Sequence, residues 1–352
     1  MVGLSDEHAM ARALVLARSG AVRVNPRVGC VVLDARGEVV GEGWHDGVGT
    51  PHAEDVALRA AGDRARGGTA VVTLEPCSHR GSRAGSCVEA LLSAGVARVT
   101  YGRRDTNPIA AGGADALRSA GVVASAVDDP VLAAQCSELV ARWAFAVEHG
   151  RPFVTWKYAS TLDGRVAAAD GSSRWITGPR ARADVHLRRA ECDAILVGTG
   201  TVLRDDPQLT VRDVSERLAE QQPLRAVMGL RELPAAAAVF NADARAVRLL
   251  TRSPADALRR LWELGTRAVW LEGGPTLAAA FLAAGVVDEI VAYVAPAVLG
   301  SGTPVVADLG RSSISEIIRF ELVDVSAIGA DVRIICRPSR PVAVEAHDTH
   351  AG

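Results

Sequence analysis

The stretch Pro51-His52-Ala53-Glu54 and the two cysteines that follow it, Cys77 and Cys87, decide the fold of the N-terminal half. A histidine and two thiolates supply three protein ligands, and three ligands leave open the fourth position that a catalytic zinc ion needs for water. Glu54 lies two residues after His52, at a predicted helix start, and can reach that water without binding the metal. The alternative is a buried histidine with two cysteines that only pack in a core.

Alternating strands and helices are predicted around these residues. A helix follows Ser5, and residues 28–33 and 39–44 read as a β-hairpin. Further along we expect a helix over 53–61, a strand over 69–74, a helix over 89–94, a strand over 96–101 and a last helix over 130–147. This pattern predicts a three-layer α/β domain over residues 1–148, with a boundary at residues 148–152.

A second α/β domain is predicted over residues 151–337. Its strands are expected at 153–157, 194–197, 224–228, 246–250, 268–271 and 289–294, and its helices at 181–190, 255–264 and 276–284. Strands that alternate with helices in this way predict a mainly parallel sheet with helical crossovers. The polar segment 211–222 is expected to be a surface excursion, and residues 338–352 a disordered tail.

Composition excludes several classes of protein. The 352 residues are 49% hydrophobic, so they can fill the cores of two domains. A net charge of -2 and only 4% aromatic residues argue against a nucleic-acid partner. No apolar run is long enough to span a membrane, and the six cysteines are scattered, so we expect a soluble, cytoplasmic protein without a membrane partner.

Two features of the second half suggest a site. Lys157 is the only lysine among 39 basic residues, and its compact ammonium cannot be replaced by the planar fork of arginine. The segment Trp270–Thr276 reads as a strand that ends in two glycines and enters a helix at Pro275, an arrangement that can hold a phosphate. An ordinary tight turn is the alternative. The segment Gly198–Leu203 lacks the third glycine of the dinucleotide fingerprint.

The order of His, Glu, Pro and two Cys is that of the zinc deaminases, in which the glutamate carries a proton from the water to the leaving amine. Together with Asn25–Cys30, Gly43–His45, Thr73–His79 and Asp105–Pro108, these residues resemble the deaminase half of the bifunctional riboflavin-biosynthesis family RibD. The resemblance implies a cytidine-deaminase-like fold, with His52, Cys77 and Cys87 as ligands of one zinc ion and Glu54 as the catalytic proton shuttle. It implies a phosphoribosyl-pyrimidine substrate that contacts Asn25, His45, His79, Arg83 and Asn107.

The second half resembles the reductase half of the same family through Lys157–Arg165, Ser173–Thr177, Gly198–Arg212 and Glu272–Leu277. That half is similar to dihydrofolate reductase in fold and uses NADPH, which reduces the ribosyl chain to ribityl. The resemblance implies contacts with the cofactor at Ala159, Trp175, Thr201, Asp205, Gly274, Pro275, Thr276, Leu277, Ala278, Ala279 and Ala280. It implies substrate contacts at Lys157, Ser173, Arg189, Leu209, Arg212 and Glu272. A homodimer or homotetramer is expected.

Two departures from the family pattern keep alternatives open. Nine residues separate Cys77 from Cys87 where the family usually has eight, and the two prolines that usually precede the second cysteine are missing. The segment Ala110–Gly113 lacks the basic residue often found there. One alternative is therefore a paralogue with one inactive half or with a related pyrimidine as its substrate. The other is a nucleic-acid binding or editing protein on a deaminase fold.

Overall fold

The computed structural model describes residues 4–20, 25–78, 85–213 and 215–339. The chain divides into two compact units, one built mainly from the residues up to Phe153 and the other mainly from those after it. Within the described residues, no helix is long and apolar enough to cross a membrane. All six cysteines are free thiols.

The first unit contains six helices and five strands among its described residues. The helices are α1 (Asp6–Ser19), α2 (Ala53–Ala61), α3 (Cys87–Ala94), α4 (Gly113–Ser119), α5 (Pro130–Leu139) and α6 (Ala141–His149). The strands are β1 (Gly29–Leu33), β2 (Val39–Trp44), β3 (Thr69–Val72), β4 (Arg98–Tyr101) and β5 (Val123–Ala126). They form one sheet in the order β2-β1-β3-β4-β5, in which β3, β4 and β5 are parallel and β1 is antiparallel to both of its neighbours.

Glycines on β2 allow α2 to lie directly against the sheet. A Cβ atom at Gly41 would lie 2.1 Å from the carbonyl oxygen of Ala57, and one at Gly43 would lie 2.5 Å from that of Ala53. Such contacts are far inside van der Waals distance, so a side chain at either position would push α2 outward. Because His52 and Glu54 lie at the start of α2, these glycines also fix the depth of the site.

The second unit has its own eight-stranded sheet. Its strands are β6 (Phe153–Thr161), β8 (Ala194–Gly198), β9 (Leu224–Met228), β10 (Ala246–Leu249), β11 (Ala268–Leu271), β12 (Glu289–Ala295), β14 (Phe320–Ile328) and β15 (Asp331–Pro338), and a separate pair is formed by β7 (Arg165–Ala167) and β13 (Thr303–Pro304). Its helices are α7 (Pro179–Ala190), α8 (Thr199–Asp205), α9 (Pro254–Glu263) and α10 (Pro275–Ala283). The order is β10-β9-β8-β11-β6-β12-β15-β14; the pairs β10/β9, β9/β8, β8/β11 and β6/β12 are parallel, whereas β15 runs antiparallel to β12 and β14.

The predicted fold class agrees with this architecture, but several elements differ from expectation. The single last helix predicted over 130–147 is two helices, because Val140 has non-helical angles (φ −112°, ψ 9°). The short elements α4, β5, α8, β7 and β13 and the β14–β15 hairpin were not predicted. Strand β15 includes Pro338, the first residue of the predicted tail, and residues 340–352 lie outside the described residues.

Candidate active sites

Three ligand atoms converge at one end of the first sheet. His52 Nδ1 lies 3.0 Å from Cys87 Sγ and 3.6 Å from Cys77 Sγ, and the two sulfur atoms are 3.3 Å apart. A single ion with zinc–ligand distances of about 2.0–2.3 Å can contact three atoms spaced in this way. Within the described residues, this is the one group of three or more His, Cys, Asp or Glu side chains that could hold a metal ion.

Each ligand is held by the end of a structural element. His52 is the residue immediately before α2, Cys77 lies beyond the end of β3, and Cys87 is the first residue of α3. Hydrogen bonds from Cys87 and His52 lower the pKa of the Cys77 thiol, which favours its thiolate form. A thiolate is therefore available as a ligand.

Glu54 lies in the first turn of α2 and is 3% exposed. Burial raises the pKa of its carboxyl to about 7. A carboxyl with a pKa near neutrality can both accept and donate a proton, which is what a proton shuttle requires. Glu54 lines the same cavity of about 330 Å³ as the three ligand residues.

The segment that precedes Cys87 is anchored by a capping box. The hydroxyl of Ser86 accepts a hydrogen bond from the backbone N–H of Glu89 at 3.2 Å, and the Glu89 carboxylate accepts one from the backbone N–H of Ser86 at 3.0 Å. These reciprocal bonds fix the entry of the chain into α3. His79 and Arg83, which were expected to contact substrate, lie outside the described residues.

Asn25 and His45 form a hydrogen-bonded chain at the cavity wall. His45 Nδ1 lies 3.0 Å from the carbonyl oxygen of Pro51, and His45 Nε2 lies 2.9 Å from the amide nitrogen of Asn25. A carbonyl can only accept, so Nδ1 carries the proton and Nε2 accepts from Asn25. Burial lowers the pKa of His45, which favours this neutral form. The Asn25 side chain therefore binds His45 through its nitrogen, and its oxygen forms no bond with His45.

Asn107, the other described residue expected to bind substrate here, also lines this cavity. Its side-chain oxygen accepts a hydrogen bond from the backbone of Ile109 at 3.2 Å. The structure thus places Asn25, His45 and Asn107 in the cavity that also contains His52, Cys77 and Cys87.

Glu75 is a positioning residue that the sequence analysis did not identify. Its carboxylate is 5% exposed and accepts backbone hydrogen bonds from Asp105 at 3.0 Å and from Ala114 at 2.9 Å. Asp105 follows β4 and Ala114 lies in the first turn of α4. Glu75 therefore ties the segment that carries Cys77 to the segment that carries Asn107. Its position two residues before Cys77 could have drawn attention to Glu75. The sequence does not indicate, however, which backbone groups its carboxylate binds.

A second cavity, of about 540 Å³, lies at the carboxyl ends of β8, β9, β10 and β11 in the second unit. Its lining includes six of the residues predicted to contact the cofactor: Thr201, Gly274, Pro275, Thr276, Leu277 and Ala280. Gly274 caps α10 and Pro275 is its first residue, as predicted for a phosphate-holding turn.

The other five residues predicted to contact the cofactor do not line this cavity. Ala278 and Ala279 are buried on the opposite face of α10. Trp175 is 69% exposed, and the guanidinium of Arg182 lies 4.4 Å from its ring. Ala159 lies on β6, and Asp205 ends α8, where its carboxylate contacts Arg204 Nε at 3.3 Å.

Arg189 and Glu272, both expected to contact substrate, form a bidentate ion pair. Arg189 Nε and Nη2 each donate to a different oxygen of Glu272 at 2.6 Å, and Trp270 Nε1 donates to the same carboxylate at 2.5 Å. Burial alone would raise the pKa of Glu272, but the charges of Arg189 and Lys157 lower it to about 2. Lys157 thus belongs to the same charge cluster, and burial lowers the pKa of its ammonium group.

The three remaining residues expected to contact substrate lie outside this cluster. Leu209 is 4% exposed and has a positive φ of 53°. The guanidinium of Arg212 donates to Gln208 at 2.7 Å and to the carbonyl oxygen of Glu216 at 2.8 Å, so it is engaged within its own segment. Ser173 is partly exposed in the segment before α7.

Both halves of the chain match known protein families. Residues 4–103 match the cytidine and deoxycytidylate deaminase zinc-binding region, and residues 152–334 match the RibD C-terminal domain. The riboflavin biosynthesis protein RibD of Mycobacterium tuberculosis is 48% identical over 314 residues, which cover 89% of this chain and 91% of that protein. The RibD protein of Escherichia coli is 40% identical over 365 residues, with 94% and 98% covered.

Solved structures give the same result. Acinetobacter baumannii RibD is 36% identical in sequence and has a TM-score of 0.85. The match covers 95% of this chain and 99% of that protein. The deaminase region binds zinc, the reductase domain uses NADPH, and the chain is an enzyme with both domains. From its sequence, its fold and its site geometry, the chain belongs to the RibD family of riboflavin biosynthesis proteins.

Proposed function

We propose that this chain hydrolytically deaminates 2,5-diamino-6-(5-phosphoribosylamino)pyrimidin-4-one and then reduces the product, 5-amino-6-(5-phosphoribosylamino)uracil, with NADPH. The observation that carries the proposal is the convergence of His52, Cys77 and Cys87 with Glu54 in one cavity. The name of a Thermotoga maritima structure, a diaminohydroxyphosphoribosylaminopyrimidine deaminase and 5-amino-6-(5-phosphoribosylamino)uracil reductase, supports the choice of substrates. It is 33% identical, with a TM-score of 0.85 and 95% and 99% of the two chains covered.

In the first reaction His52, Cys77 and Cys87 would hold zinc, which would lower the pKa of a water molecule. Glu54 would accept a proton from that water, whose oxygen adds to the ring carbon that carries the amine. Glu54 would then return the proton to the amine as the C–N bond breaks, and the amine leaves as ammonia. Because Glu54 is buried, the pKa of its carboxyl is raised to about 7, so the group can both accept and return the proton. The pyrimidine is held in place by Asn25 and Asn107. His45 orients Asn25, and the hydrogen bond from Asp105 to Glu75 fixes the segment that carries Asn107.

In the second reaction the turn at Gly274–Leu277 would hold the diphosphate of NADPH. The cofactor would supply a hydride to C1′ of the opened ribosyl group, and a proton from solvent would complete the reduction to ribityl. The Lys157 ammonium, placed beside the Arg189–Glu272 pair, binds the substrate and is kept in position by the fixed carboxylate. A hydride transfer depends mainly on the relative position of donor and acceptor, so these residues act by binding and orientation.

The purified chain with zinc and the diaminopyrimidinone substrate tests this proposal, when ammonia and NADPH oxidation are followed separately. We expect ammonia in the absence of NADPH, and NADPH oxidation only after ammonia has formed. A chain that oxidises NADPH only with the deaminated compound would have an inactive deaminase half. Absence of both activities, together with a salt-sensitive shift of RNA in a gel, would favour the nucleic-acid alternative instead.

Glu54→Gln should abolish ammonia release and leave the zinc content unchanged, because glutamine keeps the shape of the side chain but cannot carry the proton. Metal analysis and an ammonia assay measure the two effects. Cys87→Ser is the matched comparison, since it should lower the zinc content as well. Reduction of the deaminated compound should proceed normally in both variants. Ammonia release by Glu54→Gln at a rate near that of the wild type would contradict the assigned role.

Lys157→Arg should raise the KM for the reductase substrate by about tenfold, with a smaller change in kcat, because the bulkier guanidinium must fit beside Arg189. Steady-state NADPH oxidation measures both constants. Arg245→Lys, at an exposed position before β10, is the matched control and should change neither. An unchanged KM in Lys157→Arg would show that a compact ammonium is not needed there.

We further propose that the chain works as a homo-oligomer in the cytoplasm and has no nucleic-acid partner. The edge strand β14 supports self-association, because Leu322, Val323 and Val325 on it are 64%, 50% and 54% exposed. An apolar edge of this kind is usually covered by another chain. Light scattering during gel filtration should give a mass of at least twice 36.7 kDa. Val325→Arg should reduce that mass, whereas a wild-type mass of 36.7 kDa would contradict the proposal.

A further inference from the structure

Helix α7 holds the segment 209–212 at two points. Arg189 Nη1 donates a hydrogen bond to the carbonyl oxygen of Thr210 at 3.2 Å. One turn earlier on the helix, His186 Nδ1 accepts a hydrogen bond from the backbone N–H of Arg212 at 3.3 Å. Side chains three residues apart lie on the same face of a helix, so His186 and Arg189 form one surface against which the segment is fixed.

Side chains from outside the segment hold the backbone of three consecutive residues in it. Between the two contacts with α7, the Gln222 amide accepts from the backbone N–H of Val211 at 2.7 Å and donates to its carbonyl oxygen at 2.8 Å. Leu209, at the start of the segment, has a left-handed φ of 53°, which is uncommon for a residue other than glycine. The contacts therefore fix the direction in which Leu209 and Arg212, both expected to contact substrate, leave the backbone.

The contact at His186 requires a neutral imidazole. A backbone N–H can only donate, so Nδ1 carries no proton and the proton of the neutral ring is on Nε2. Burial lowers the pKa of His186, and the charges of Arg189 and Arg212 act in the same direction, whereas those of Glu272 and Glu216 oppose it. Protonation would place an N–H at Nδ1, facing the N–H of Arg212, and would break the bond.

We propose that His186 is a positioning residue of the reductase half, which holds the segment 209–212 beside the Arg189–Glu272 pair so that both can contact one substrate molecule. The inference rests on the proposed reductase function. Loss of the bond would leave the backbone N–H of Arg212 without its acceptor and would loosen the segment. Binding of the substrate should then weaken, whereas the hydride transfer should change less, because the Arg189–Glu272 pair and Lys157 remain in place. Because the bond needs a neutral His186, binding should also weaken in acid.

Two substitutions of His186 separate the loss of the acceptor from the loss of the ring. Asparagine places an amide oxygen where Nδ1 lies, so His186→Asn keeps an acceptor, whereas His186→Leu has none. In His186→Leu, the KM for 5-amino-6-(5-phosphoribosylamino)uracil should rise about tenfold, with kcat within about twofold of the wild type. His186→Asn should stay close to the wild type in both constants at neutral pH. Leu187→Asn, at a position of the same helix that is 62% exposed, is the matched control and should change neither.

The dependence of KM on pH provides a second test, which a purely structural role would not pass. The ratio of the KM of the wild type to that of His186→Asn cancels the titration of the substrate phosphate and of other groups. Because burial lowers the pKa of His186, this ratio should be constant near neutral pH and should rise only below the ordinary titration range of histidine. A ratio that stays constant down to about pH 5 would overturn the proposal. This comparison does not need His186→Leu, so it holds even where that variant fails to fold.

Two further measurements need no turnover. Hydrogen exchange followed by mass spectrometry reports on the amide of Arg212, which should exchange faster in His186→Leu than in the wild type or in His186→Asn. Isothermal titration calorimetry without cofactor measures the Kd for 5-amino-6-(5-phosphoribosylamino)uracil. This Kd should rise about tenfold in His186→Leu and should stay unchanged in Leu187→Asn.

The outcomes separate this inference from the reductase function. If the wild type reduces the compound and His186→Leu keeps the wild-type KM and Kd, the positioning role is wrong and the reductase function stands. Faster exchange at Arg212 without a change in either constant has the same meaning. If His186→Leu binds the compound more weakly than the wild type and neither oxidises NADPH, the positioning role stands and the proposed reaction is wrong. A wild type that neither binds nor reduces the compound would overturn both.

Discussion

The parallel alignment of strands is the constraint on which both sites depend. Parallel strands have their carboxyl ends at one edge of the sheet, so the segments that follow them are brought together there. In the first unit this edge joins Cys77, which follows β3, to Asp105, which follows β4, and the Glu75 carboxylate bonds the two segments. In the second unit, the carboxyl ends of the parallel strands of its own sheet bring the turn at Gly274 into one cavity with Arg231 and Arg252. Neither arrangement depends on closeness in sequence.

The arginines of the second unit differ in burial and therefore in the partners that they need. Arg225 is fully buried, and its two Nη atoms donate to backbone carbonyl oxygens and to the Asn241 side chain, whereas its Nε has no hydrogen-bond partner among the described residues. Arg189 is largely buried and paired with Glu272, because an unpaired charge at that depth would be costly. Arg231 and Arg252 are exposed, so they need no carboxylate partner.

Sequence reasoning succeeded where a motif encodes chemistry directly. The motif with His52, Cys77 and Cys87 predicted three side chains that the structure brings together, and the glycines before Pro275 predicted the turn that leads into α10. The contacts of Glu75 were not predicted, since nothing in the sequence indicates that its carboxylate accepts from the backbone of Asp105 and Ala114. The β14–β15 hairpin was missed because β14 is exposed along much of its length and its alternation of apolar and polar residues is broken where the register shifts between Leu322 and Asp324.

The long Cys77–Cys87 segment was the main reason to consider an inactive deaminase half, and the capping box at Ser86 weakens it. In the family pattern, prolines restrict the chain just before the second cysteine. Here the reciprocal bonds between Ser86 and Glu89 fix the first turn of α3, so the position of Cys87 is set by its own helix. The backbone N–H of Cys87 also points to Cys77 Sγ, at 3.4 Å. These contacts lie within α3 and at the cysteines themselves, and the three ligand atoms converge although the segment between the cysteines is one residue longer than in the family pattern.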